Sequence, residues 1–144
     1  MTPLAIVNKE IVDLHNFFTG WFNGTVDRDQ LEPRFLSRLH NDVQFIPPEG
    51  SVMTTEIIRE GFGRGYGTNS NFRSHIRNVD LRYFRGELAL ATYTEWQTGA
   101  TLSPDANNAR RTSVLVEMTD PITWLHIQET WLPAHERDAG SFDF

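Results

Sequence analysis

The chain has 144 residues, 39% hydrophobic and 22% charged, with 13 Lys and Arg against 19 Asp and Glu for a net charge of −6. That length favours one domain able to bury a core without disulfides or metals, and the composition excludes disordered, collagen-like and coiled-coil chains. The acidic balance gives no overall footprint for nucleic acid or an anionic membrane, and the absence of cysteine removes disulfides, thiolate zinc sites and cysteine nucleophiles.

Val7, Ile11, Leu14, Phe18 and Trp21 recur at spacings of three and four, which predicts an amphipathic first helix closed by Gly20, Asn23 and Gly24. Lys9, Glu10 and Asp13 interrupt its apolar run, so it does not read as a signal peptide. No run approaches the roughly 20 apolar residues of a membrane span, and the expectation is a cytoplasmic protein with no membrane or nucleic-acid partner. A second helix fits Leu31 to Leu39, with Pro33 in its first turn. Asp42 to Ile46 alternates as a short strand that Pro47 and Pro48 stop.

Thr54 to Glu60 predicts a third helix with Glu56 at its positive end. The following Gly61-Phe62-Gly63-Arg64-Gly65-Tyr66-Gly67 reads as a flexible exit; it lacks the GxGxxG spacing and the preceding strand of a dinucleotide site. No other cofactor motif or metal-ligand spacing is present among His15, His40, His75 and His135.

The second half changes to period two. Residues 72–84, 88–98, 110–119 and 123–132 predict four long strands, with tight turns at Arg85-Gly86 and Asp120-Pro121 and a long exposed loop from Gly99 to Ala109. Residues 1–134 form one domain, and 135–144 a polar, mobile tail. Helices first and strands afterwards indicate an α+β fold, a curved antiparallel sheet wrapped around the first helix.

A tight turn at Asp120-Pro121 puts Arg111, Ser113, Leu115 and Glu117 on one face with Trp124, His126, Gln128 and Thr130, His126 lying opposite Glu117 or Leu115. The other face carries Thr112, Val114, Val116, Met118, Leu125, Ile127, Glu129 and Trp131. It is too apolar for solvent and calls for a cover, expected to be a second subunit. On the preceding hairpin Ala89, Ala91, Tyr93, Glu95 and Gln97 share one face, grouped with Asn78, Asp80 and Arg82. Leu88, Leu90, Thr92, Thr94 and Trp96 share the other, grouped with Arg77, Val79, Leu81 and Tyr83. Tyr93 and Glu95 are open to a pocket or an interface role.

The element order, Pro48-Glu49-Gly50 before Thr55-Glu56-Ile57-Ile58, and the closing strands Arg110-Arg111-Thr112-Ser113-Val114-Leu115 and Trp124-Leu125-His126-Ile127-Gln128-Glu129-Thr130-Trp131 together carry a resemblance. Over about residues 5 to 133 the chain resembles the nuclear transport factor 2-like superfamily, and within it small stand-alone domains of unassigned function. The resemblance implies a cone-shaped α+β roll, about three helices packed on a strongly curved, mostly antiparallel sheet. It also implies homodimerisation through the sheet and a pocket inside the cone lined by the final strand. The catalytic aspartate of ketosteroid isomerases has Pro47 in its place, their helix-one tyrosine has no counterpart, and the histidines of a W-x-x-x-H-x-H strand align with Gln128 and Thr130.

On that footing His126 and Glu117 are the candidate proton-handling pair, with Arg111, Ser113, Gln128, Thr130 and Trp124 as ligand-binding residues. Two readings stand: a SnoaL-like isomerase, dehydratase, cyclase or hydrolase acting on a small apolar molecule, or a non-catalytic dimeric binding or assembly module.

Overall fold

The structure is a computed structural model that describes all 144 residues. Helix α1 spans Pro3–Asn23. Thr2 Oγ1 accepts a hydrogen bond from the Ala5 backbone N–H at 3.1 Å, and Pro3 occupies the first turn, where a missing N–H costs nothing. Gly24 ends the helix at φ 79°, a left-handed conformation that glycine adopts without strain.

The segment after α1 is less regular than its stripe predicts. It splits into a 3₁₀ turn at Arg28–Gln30, a short helix α2 at Leu31–Arg34 and a second 3₁₀ turn at Leu36–Arg38. Strand β1 then runs Leu39–Ile46. Helix α3, Thr55–Gly65, continues through the glycines expected to fray. Phe62 explains this: its ring lies 5.0 Å from that of Phe18, 5.1 Å from Phe35 and 5.3 Å from Phe22. That packing outweighs a helix-propensity cost of about 1 kcal/mol per glycine.

Strands β2 (Arg73–Arg85), β3 (Leu88–Thr98), β4 (Asn108–Glu117) and β5 (Thr123–Trp131) complete one five-stranded sheet ordered β1-β5-β4-β3-β2. All neighbours are antiparallel except β1 and β5, which run parallel. Val7, Ile11, Leu14, Phe17 and Trp21 of α1 pack on Ala89, Ala91, Val114, Val116 and Trp124 of the sheet. The small side chains of β3 and β4 let the helix approach closely, and they decide which sheet face is inside the cone.

The cover for the apolar face of the β4–β5 hairpin is thus α1 of the same chain, not a second subunit. The β2–β3 partition holds on β3, but bulges between Arg77 and Asp80 and between Leu81 and Tyr83 move part of β2 across. Leu81 pairs with Ala91 and Asp80 with Thr92, the reverse of a regular ladder.

The C-terminal segment is folded. A helix α4 covers Ala134–Ala139, and Phe142 and Phe144 pack with Trp96, Ala109 and Leu132 on the outer face of the sheet. Arg77 donates to the Ser141 carbonyl at 2.8 Å and lies over the Trp96 ring, and His75 stacks on Phe144. Aromatic burial therefore replaces the mobile tail expected from its polarity. No helix is long and apolar enough to cross a membrane.

Candidate functional site

Inside the cone, the apolar floor gives way to ionisable groups beyond Val114. His15 and Glu95 are each 6% exposed, and Arg110 and Glu129 each 8%. They come from α1, β3, β4 and β5. The backbone register delivers them together: Glu95 pairs with Arg110, and Thr112 with Glu129.

His15 Nδ1 sits 2.7 Å from the Ile11 carbonyl, which can only accept, so Nδ1 carries a proton. Its other nitrogen faces Glu95 Oε1 at 3.4 Å. Burial alone would lower the imidazole's pKa, but the charge and hydrogen bond of Glu95, with the Ile11 carbonyl, raise it above 6.5 overall. Burial pushes the other way on Glu95, yet His15, Arg110 and Gln97 hold its carboxyl down at about 2. Ser74 Oγ and Gln97 Nε2 donate to Glu95 Oε2 at 3.0 and 2.7 Å.

Gln97 joins this pair to the next, since its Oε1 accepts from Arg110 Nη2 at 3.1 Å. Arg110 Nη1 donates to Glu129 Oε1 at 3.2 Å, and Thr112 Oγ1 reaches Glu129 Oε2 at 3.4 Å. Burial dominates for Glu129: with Glu95 as a like charge nearby, it raises this carboxyl to about 7 despite Arg110. The phenol of Tyr93, whose ring meets His15 edge-on at 5.5 Å, is also pushed well up by burial and the two carboxylates. Two carboxyls, one held down and one held up, are the arrangement acid–base chemistry at neutral pH needs. Glu129 can donate or accept a proton near pH 7, with Arg110 beside it to stabilise negative charge.

The residues expected to line the cone lie elsewhere. Arg111, Ser113, His126, Gln128 and Thr130 do come together, around a groove of about 440 Å³ shared with Leu90 and Leu115, but on the outer face. His126 pairs with Leu115, and its Nε2 lies 3.2 Å from Gln128 Oε1. Glu117 pairs with Thr123 and forms no pair with His126. The connection between β4 and β5 is residues 118–122 rather than a two-residue turn, and a bulge between Leu115 and Val116 compensates for its odd length. Only Trp124, beyond the bulge, turns inward: it is 1% exposed and its Nε1 donates to Glu10 Oε1 at 3.3 Å.

Of the interior set, Tyr93 and Glu95 were legible as candidates, whereas His15, Arg110 and Glu129 were missed. Their signal is polarity inside apolar patterns. His15 follows Leu14 on the buried side of α1, and Glu129 and Thr112 interrupt a strand face otherwise built of Val114, Val116 and Ile127.

No family model matches the sequence, and no curated protein matches it. Solved structures do. The chain is similar to an NTF2-like protein of unknown function from Pseudomonas aeruginosa, with 24% identity and a TM-score of 0.78 over 89% of this chain and 99% of that one. It is similar to an NTF2-like protein from Cytophaga hutchinsonii, with 14% identity and a TM-score of 0.70 over 92% of this chain and 100% of the other. An uncharacterised protein with a cystatin-like fold from Caulobacter vibrioides shares 16% identity and a TM-score of 0.64, over 91% and 93% of the two chains. The likeness shows the fold.

Proposed function

We propose that this NTF2-like cone binds a small molecule at its interior network of His15, Glu95, Arg110 and Glu129, and that Glu129 with Arg110 handles a proton and the resulting charge on it. The observation that supports this most is the convergence of four ionisable side chains, none more than 8% exposed, from four different elements. Buried ion pairs of this kind add little net stability over apolar residues of the same volume. Perturbed titratable groups gathered in one place are characteristic of functional centres. Isomerisation, dehydration or cyclisation of a carbonyl compound would use a general acid–base carboxyl beside a fixed cation in this way.

The test is a thermal-shift screen of small ketones, carboxylic acids and polyketide-like aromatics against wild type, Glu129→Gln and His126→Ala. A ligand present at 100 times its dissociation constant adds about 2.7 kcal/mol to the native state. Interior binding predicts hits that weaken in Glu129→Gln and persist in His126→Ala. Hits with the opposite dependence would move the site to the outer groove.

A second reading concerns that outer face. Leu88 and Leu90 are 43% and 37% exposed, and Leu90 with its partner Leu115 lines the groove around His126. This favours a second copy of the chain packed sheet to sheet, the homodimer that the resemblance implies. Sedimentation of wild type and Leu90→Asp tests it: a dimer that dissociates in the variant supports the reading, and a wild-type monomer ends it.

A further inference from the structure

Arg110 carries an unused donor. Its Nε–H is buried without a hydrogen-bond partner, although its side chain is nine-tenths buried. The adjacent Nη2 is oversubscribed, since its two hydrogens face three acceptors: Gln97 Oε1 at 3.1 Å, Ser103 Oγ at 3.2 Å and Asn108 Oδ1 at 2.9 Å. Nε and Nη2 together form the side edge of the guanidinium, the edge that grips both oxygens of a carboxylate. Of the three acceptors on Nη2, Ser103 is the one on the long connection between β3 and β4. A carboxylate oxygen in place of its hydroxyl keeps three acceptors around Nη2 and brings the second oxygen to the unpartnered Nε, without disturbing the sheet. On α1, Thr19 Oγ1 and Asn23 Oδ1 are also buried without partners, one and two helical turns beyond His15.

We infer that the ligand of the interior site is a small carboxylate, gripped by the Nε–Nη2 edge of Arg110 in place of the Ser103 hydroxyl, and that one proton enters with it. This rests on the interior reading above and narrows it to one ligand class. A neutral carbonyl supplies a single oxygen and leaves the edge half filled. The proton follows from charge: His15 and Arg110 balance Glu95 and Glu129, so a bound anion adds one uncompensated buried charge. The groups facing Glu129 are Arg110 and Thr112 from β4, Glu95 and Tyr93 from β3 and His15 from α1. Among the carboxyls only Glu129 has its affinity for a proton raised, so it is the group that takes one up.

The probes are benzoate and phenylacetate beside benzamide and phenylacetamide, titrated calorimetrically in buffers of different ionisation enthalpy. The expected result is binding of the acids over the amides, with a proton uptake that rises toward one as the pH is raised above 7, and weakening as pH rises. Arg110→Lys keeps the charge and removes the edge, and it is expected to weaken the acids about tenfold or more. Ser103→Ala, in the loop, is expected to tighten them, and Glu129→Gln to abolish the proton uptake. Circular dichroism confirms that each variant is folded; if Arg110→Lys is not, the Ser103→Ala and Glu129→Gln responses decide. Amides binding as well as acids, or acids indifferent to Arg110, Ser103 and Glu129, overturn the carboxylate assignment. If other ligands still depend on Glu129, the interior site survives that failure; if none does, both readings fall.

Discussion

His15 Nε2 and Glu95 Oε1 face each other at 3.4 Å in the sheet's interior, while His15 Nδ1 gives its proton to the Ile11 carbonyl at 2.7 Å. With Nδ1 committed, the imidazole must also carry a proton on Nε2 to meet a carboxylate there. The pair is thus an imidazolium and a carboxylate, oriented by a helix backbone on one side and by Ser74 and Gln97 on the other.

Its pH dependence has a definite sign. His15 is raised from 6.5, so its contribution is complete below 6.5 and is lost as pH rises through the folded value. Glu95 is lowered from 4.5 to about 2, so its contribution is present above 4.5 and is lost as pH falls toward 2. The pair therefore supports the fold most fully between these two ordinary values. Glu95→Gln is expected to cost about 3 kcal/mol in urea unfolding at pH 5.5, because it strands a buried cation. In the same variant the His15 titration, followed by NMR, should drop below 6.5. A His15 titration unchanged by the substitution contradicts the pairing.

Glu129 behaves oppositely. Its carboxyl is raised from 4.5 to about 7, so the folded state holds a proton that the unfolded chain releases. Stability therefore falls as pH rises between those values, by on the order of 2 kcal/mol. Glu129→Gln is expected to remove that decline and to match or exceed wild-type stability at pH 8. Unfolding curves at pH 4.5, 6 and 8 check this, and an equal decline in both proteins assigns the effect to another group.

The contrast shows what periodicity reveals and what it leaves out. Strand alternation grouped Arg111, Ser113, His126, Gln128 and Thr130 correctly, because a period of two survives any even slip in register. Which face lies inside is a tertiary choice. It was made by Ala89, Ala91, Val114 and Val116, whose small side chains admit α1. The helix pattern of Val7, Ile11 and Leu14 was plain for the same reason that His15 was not: one polar residue on a buried stripe has no partner visible within its own segment. Glu95 and Glu129 are 34 positions apart and meet through the β3–β4–β5 ladder, which a long loop and a bulge conceal from the sequence.

The folded C-terminus yields another prediction. Gly140 lies against the Trp96 ring so closely that an added methyl group would collide with it. Gly140→Ala is expected to lift the segment carrying Phe142 and Phe144, costing about 1–2 kcal/mol by overpacking. Trp96 is 6% exposed in its packed position, so its release should shift tryptophan emission to the red and increase quenching by iodide. Emission and quenching identical to wild type would show that the segment does not hold this contact.

Trp124 and His126 give the sharpest test of the register. They are two residues apart and would share a face in a regular strand, yet the bulge between them, at the unpaired Leu125, buries one and leaves the other on the outer groove. Trp124 pairs with Leu39 and Val116 under α1, and it satisfies Glu10, which also accepts from Arg34 Nη1 at 3.0 Å. Trp124→Ala removes a large buried ring and one donor to that carboxylate, and it is expected to cost about 3–5 kcal/mol. His126→Ala removes a half-buried ring whose hydrogen-bond partner is the exposed Gln128, and it should change stability by no more than about 0.5 kcal/mol. Chemical denaturation of both variants decides between the bulged and regular registers, because a regular ladder would place the two side chains in one environment and make their costs similar.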